Sequence, residues 1–254
     1  MGPSLAFIPL RGTKDCAQDD SLADEPMNDL VSVVIPTYNG KRYIAATLDS
    51  VLTQKHRPLE ILVIDDGSTD STPEIVRDYA PEVRLIEQER RGHPAARNVG
   101  IRAATGEFLG FVDHDDLWSP DKLERQITSF SRNPELDLVF GHIQNFFTPE
   151  MTAEERERIA VPLQPLPGLL QGSMLARRRS FDRVGLFRED RGMGDFLDWY
   201  GRAMLAQMKM EMLPETVVHR RIHANNYQRT YTDQRREYLR AVKDLLDRRR
   251  GILS

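Results

Sequence analysis

The sequence predicts an α/β fold with a mainly parallel central sheet flanked by helices. Three observations carry that expectation. Short β-branched apolar runs alternate with segments of helical periodicity between residues 31 and 112. The pitch of the alternation implies parallel strands joined by right-handed crossovers. Polar and acidic residues directly follow the strand-like runs, where such sheets bind their ligands.

Residues 31–35 (VSVVI) read as a strand buried on both faces and ended by Pro36. Ile44, Leu48, Val51 and Leu52 fall at i, i+4, i+7 and i+8 and predict a helix. Residues 59–64 (LEILVI) form a second strand, followed by turn chemistry at Asp65-Asp66-Gly67-Ser68. Thr72 as N-cap, with Pro73 behind it, starts a second helix whose Ile75, Val76 and Tyr79 face the core. Residues 83–86 are a short third strand, 94–104 an Ala-rich helix with Gly106 beyond it, and 107–112 a fourth strand ending at Asp113. Ser119 as N-cap and Pro120 predict a helix with Leu123, Ile127 and Phe130 on one face. Residues 136–147 read as a strand bent or bulged around Gly141. Residues 151–158 read as an exposed helix, and the proline-rich 161–168 as an extended connection.

Composition narrows the function. The chain has 254 residues, 40% hydrophobic and 29% charged, with 35 Lys+Arg against 39 Asp+Glu for a net charge of −4. This suits one large soluble α/β domain and gives no reason to expect nucleic-acid binding. No stretch approaches the ~20 apolar residues of a membrane helix. A single cysteine, Cys16, excludes a disulfide scaffold or a cysteine-based zinc site. These features predict a cytoplasmic protein or one at the inner face of a membrane. Residues 1–29 are acidic and aperiodic, as in a flexible leader. Residues 227–254 predict an amphipathic helix, with Tyr238, Val242, Leu245 and Leu246 on one stripe. That basic helix can pack on the body of the protein, on a second copy as a homodimer, or on a membrane surface.

The strand ends gather Thr37, Tyr38 and Asn39, then Asp65, Asp66, Gly67 and Ser68, then Asp113-His114-Asp115-Asp116. Three carboxylates in four residues repel one another, and a bound divalent cation would compensate. Carboxylate oxygens suit Mg²⁺ or Mn²⁺, usually together with substrate phosphates. The competing reading is an acidic helix cap, a role that Ser119 already fills. His114 reads as an outward-facing neighbour of this cluster.

These segments resemble family 2 glycosyltransferases, in the order VSVVIPTYNG (31–40), ILVIDDGSTDST (61–72), RGHPAARNVGIRAATGEFLGFVDHDD (91–116) and LWSPDKLERQ (117–126). SMLARRRSFDRVGLF (173–187) and GDFLDWYGRA (194–203) resemble the family's acceptor half. The resemblance implies a Rossmann-like GT-A fold, with a nucleotide-sugar-binding half over 30–135, an acceptor-binding half over 136–226, and the helical tail. It implies metal-dependent, inverting transfer of a sugar from a nucleotide-diphospho-sugar, a UDP-sugar first of all, to a saccharide, lipid-linked or small-molecule acceptor. Pro36, Thr37 and Tyr38 would line the base and ribose pocket, and Asp66 or Asp65 would hydrogen-bond the base. Arg97 would reach the donor, with His114 beside it, and Asp113 would contact ribose or sugar. Asp115 would hold the metal on the diphosphate, with Asp113 and His223 as further candidate ligands. Arg221 would pair with phosphate. Gly172, Ser173 and Trp199 would border the acceptor.

The family's usual Glu-Asp pair ahead of a helical Arg is missing. Asp195, seven residues before Arg202, is the nearest candidate for the general base, and Asp198 is the second. That departure keeps a catalytically degenerate sugar or nucleotide binder as an alternative. A nucleotidyltransferase is disfavoured, because the loop after the first strand has one glycine instead of a phosphate-cradling Gly-rich turn.

Overall fold

The structure is a computed structural model that describes residues 29–223, with the side chain of Met193 excepted. The leader expected over 1–29, apart from Asp29, and the helix expected over 227–254 lie outside the described residues. The first half is built as expected from β1 (Val31–Thr37), α1 (Ile44–Leu52), β2 (Leu59–Asp65), α2 (Thr72–Arg77), β3 (Val83–Glu87), α3 (His93–Ala103) and β4 (Phe108–Phe111). Then come β5 (Leu117–Trp118), α4 (Lys122–Arg132), β6 (Leu138–Phe147), α5 (Ala153–Glu157), β7 (Leu166–Pro167), β8 (Leu175–Arg177), α6 (Arg178–Val184), α7 (Asp195–Leu205) and β9 (Met210–Ile222).

One sheet runs in the order β3-β2-β1-β4-β8-β6-β9-β5, with β7 on β6. β1 pairs in parallel with β2 (Val31↔Leu59) on one side and β4 (Val31↔Phe108) on the other. The chain therefore reverses its direction of travel across the sheet at β1, and the crevice at that point is where an open α/β sheet places its ligand. The expectation of a mainly parallel sheet holds for this half only. β8 is antiparallel to both β4 and β6, and β5 is antiparallel to β9, whereas β6 and β9 are parallel.

Strand periodicity divides the core. Val31, Val33 and Ile35 face α1, α2 and α4 through Ile44, Leu48, Val76, Leu123 and Phe130. Val34, Leu62, Ile64 and Phe111 face the other layer, where Ala96 of α3 meets Phe181, Phe187, Phe196 and Trp199. Gly100 sets the distance of α3 from the sheet: a Cβ there would lie 2.3 Å from Val34 Cγ1.

The helix starts differ from the reading by capping residues. Ser71, not Thr72, stands at the cap of α2, and Asp70 Oδ1 accepts the Thr72 N–H at 3.0 Å. α4 starts at Lys122, because the Ser119 hydroxyl donates to the Thr216 carbonyl of β9 at 2.7 Å and is not left to cap. Thr152 and Glu155 form a reciprocal capping box on α5. The bend expected near Gly141 is present as register shifts between Phe140 and Ile143 against β9. A Cβ on Gly141 would meet Val217 at 2.6 Å.

Candidate active site

The carboxyl edge of β1, β2 and β4 collects the predicted side chains, and the loops there are closed by their own polar groups. Pro36 and Thr37 are buried at the end of β1, and Tyr38 is half-buried just beyond. The Thr37 carbonyl accepts the Asp66 N–H at 2.9 Å, tying the two strand ends together. Asp65 accepts Ser68 N at 2.9 Å and also the Ser68 hydroxyl. Asp66 accepts Gln88 Nε2 at 2.7 Å, Arg91 N at 2.8 Å and Gly92 N at 2.8 Å. Both carboxylates thus organise the loops around them, and a base contact from Asp66 would share oxygens already in use. The same loop lays the Arg90 guanidinium on the Tyr38 ring, 3.4 Å from its centroid. Sequence reading passed over Arg90; its signal was the Arg-Arg-Gly run immediately before α3.

Two buried polar atoms beside β1 have no hydrogen-bond partner among the described residues: Thr37 Oγ1 and His114 Nδ1. Gly40 lets them approach, since a Cβ there would lie 2.6 Å from Thr37 Oγ1 and 2.8 Å from the His114 ring. A buried polar atom without a protein partner calls for one from outside the chain, an ordered water or a ligand.

Arg97 projects from α3 into the gap between the halves of the chain. It is buried and joins two carboxylates: Nη1 to Asp195 Oδ2 at 2.6 Å, and Nη2 to Asp113 Oδ1 at 3.1 Å. Burial opposes its charge, but Asp195 and Asp113 outweigh that, and its pKa is raised. Beside it, burial and then the Arg97 charge depress the pKa of His93. Asp195 is the first residue of α7, where a carboxylate suits the helix dipole. Asp198, one turn on, is equally buried but accepts from Arg202 Nε at 2.9 Å. The structure therefore brings Asp195, and not Asp198, to Arg97.

Asp115 and His223 also meet, with Nε2 and Oδ2 3.1 Å apart. Burial works against the Asp115 charge, yet the His223 hydrogen bond and the nearby His114 leave its pKa lowered. Arg221 Nε donates to the Asp115 carbonyl at 2.8 Å, and its guanidinium lies between the rings of Tyr43 and Phe146. Asp116 points inward and accepts Arg221 N at 2.9 Å; burial, then Asp115 and Asp113, push its pKa well up. Among the described residues no three acidic or histidine side chains cluster tightly enough to hold a metal by themselves. The donor set nevertheless fits Mg²⁺ or Mn²⁺, which take one or two protein ligands and complete their shell with phosphate oxygens and water. Asp113 is the exception to the expected ligand set, since Arg97 and Gln171 Nε2 (3.4 Å) engage its two oxygens.

The acceptor expectations change most. Trp199 is fully buried, stacked on Phe181 at 4.7 Å, with Nε1 donating to the Gly185 carbonyl at 2.8 Å. A ring without exposed surface has no face for a sugar. The Gly172 carbonyl accepts Trp118 Nε1 at 3.2 Å, and the Ser173 hydroxyl donates to the Gly168 and Leu170 carbonyls. Both residues are turned inward, and Gln171, unremarked in the sequence, is the residue of this turn that reaches the carboxylate edge.

Known proteins share this fold. The chain is 29% identical over 222 residues to an uncharacterized glycosyltransferase of Rickettsia typhi, covering 82% of this chain and 69% of the relative. The solved structure of S. aureus TarS in complex with UDP-GlcNAc superimposes with a TM-score of 0.67 at 22% identity, covering 85% of this chain and 65% of that one. The mannosyltransferase PcManGT of Pyrobaculum calidifontis, in complex with GDP-Man and Mn²⁺, gives a TM-score of 0.61 at 25% identity, covering 82% and 60%. The chain thus spans slightly less than two thirds of both solved chains. These neighbours share its mixed α/β GT-A architecture. The family model described as glycosyl transferase family 2 matches residues 32–187, more than half of the chain and every strand that builds the carboxyl edge, and the chain belongs to that family.

Proposed function

We propose that this chain transfers a sugar, with inversion, from a nucleotide-diphospho-sugar to an acceptor hydroxyl, with Asp195 as the general base. The observation that carries the reading is the Asp113–Arg97–Asp195 chain, which sets a candidate base from the second half one guanidinium away from the donor-side aspartate. Tyr38 and Arg90 offer stacking surface for a nucleobase, and Asp113 faces ribose or sugar. Arg97 engages Asp195 through Oδ2, so Oδ1 is the atom that receives the acceptor's proton. His223 and Asp115 would hold a divalent cation, which when bound neutralises charge on the departing diphosphate. Arg221, whose Nε holds the Asp115 carbonyl, would add positive charge beside them. A UDP-sugar is the first donor to test, because a TarS complex contains UDP-GlcNAc, and GDP is the second, because the PcManGT complex contains GDP-Man.

The test is calorimetric titration of UDP, then GDP, with and without Mn²⁺, repeated on Asp115→Ala. Metal-dependent binding that is lost in Asp115→Ala supports the reading. Absence of binding by either nucleotide overturns it.

A further inference from the structure

Lys122 is fully buried and has no part in the proposed transfer. A buried amine is expensive to desolvate, and methionine would fill similar space without that cost. Burial does depress its pKa strongly. The reason for its presence lies in what it grips. Nζ donates to Gln126 Oε1 at 2.6 Å and to the Ser173 carbonyl at 3.3 Å, and sits 4.6 Å from the Trp118 ring. Gln126, one helical turn further, donates Nε2 to the same Ser173 carbonyl at 2.8 Å. Trp118 Nε1 takes the preceding carbonyl, that of Gly172.

Three donors from the segment 118–126 therefore hold two consecutive carbonyls of the one-turn 3₁₀ segment Gln171–Ser173. So short a turn satisfies few of its own carbonyls, and these side chains take the place of the missing partners. The same turn sends Gln171 Nε2 to Asp113 Oδ2, opposite Arg97 on Oδ1. Asp113 is thus braced from both sides, and one brace is anchored from beneath by Lys122.

We propose that Lys122 is a positioning residue for the donor site: it fixes the Gln171–Ser173 turn, and through Gln171 it sets the orientation of the Asp113 carboxylate. The inference rests on Asp113 being a donor contact. Lys122 itself touches neither substrate nor metal.

The experiment compares Lys122→Met, Gln171→Ala and the double variant in two measurements: UDP affinity with Mn²⁺ by calorimetry, and hydrogen exchange of the 171–174 amides. Lys122→Met is expected to melt no lower than the parent, to speed exchange at 173 and 174, and to weaken UDP binding by about tenfold. Gln171→Ala, which removes a half-buried side chain, is expected to weaken UDP binding similarly, and the double variant no further, because the two act in series. Additive losses, or UDP affinity unchanged in Lys122→Met, overturn the inference and leave the donor site standing. A wild type that binds neither UDP nor GDP overturns the reading of the site and this inference with it. Loss of UDP binding in Lys122→Met together with a lowered melting temperature, while Gln171→Ala binds normally, assigns Lys122 to stability and also overturns the proposal.

Discussion

Asp195 and Asp116 are both buried carboxylates, and their partners separate them. Asp195 faces a buried guanidinium, the setting proposed for the base; Asp116 faces the like charges of Asp115 and Asp113, opposed by Arg220 and one backbone N–H. Asp195→Asn keeps an acceptor for Arg97 but cannot take a proton at neutral pH. Transfer should fall by about 10²- to 10⁴-fold, with UDP affinity unchanged. A kinetic assay beside the UDP titration separates the two, and an unaltered rate removes Asp195 from the base role. Asp116 predicts a stability effect with a definite sign. Unfolded, its carboxyl loses its proton near 3.8; folded, it holds on to higher pH. Between those values the folded state binds the extra proton, so raising pH through that window costs stability. Asp116→Asn has nothing to titrate there and still accepts Arg221 N through its amide oxygen. It should be at least as stable as the parent at pH 7, with the difference vanishing below pH 3.8, as read from urea midpoints across that range.

At the scale of elements, α7 does two jobs. Its first residue carries the candidate base, and its buried face completes the aromatic layer with Phe181, Phe187 and Trp199. Trp199→Ala should therefore cost about 3–5 kcal/mol of folding stability in denaturant titration. A loss confined to acceptor affinity, with stability intact, would restore Trp199 to the acceptor site. The elements legible in the sequence were those with a clear apolar pattern: the near-continuous runs of β1, β2 and β4, and the helical spacing of α1 and α4. β9 was illegible, because register shifts against β6 break its alternation and much of its length is half-exposed, so MEMLPETVVHRRI shows no period. The site divided along the same line. Its backbone positions at the strand ends were readable, but the inward turn of Gly172, Ser173 and Trp199 depended on packing partners far away in the chain.

For the whole molecule, the two halves are joined by more than the sheet. The Asn98 side chain makes a two-way bond with Phe187, donating to its carbonyl at 2.9 Å and accepting its N–H at 3.0 Å. Arg91 adds an ion pair to Glu189 at 2.9 Å. These links hold the segment that leads into Asp195 against α3. Asn98→Ala strands two buried backbone groups and should cost about 1–3 kcal/mol. It should also slow transfer while sparing UDP binding, a split that unfolding measurements and kinetics resolve together.

The pair of Asp115 with His223 spans 108 residues of sequence, and that of Arg97 with Asp195 spans 98. Such contacts close late, because the entropy of a long loop must be overcome before they form. A chain still emerging from the ribosome can assemble β1 to β4 and display its crowded aspartates long before their partners arrive. On the proposed function, the pairs that would complete the donor site form only once α7, β9 and His223 are in place, so a half-made molecule would hold no site with which to consume nucleotide-sugar.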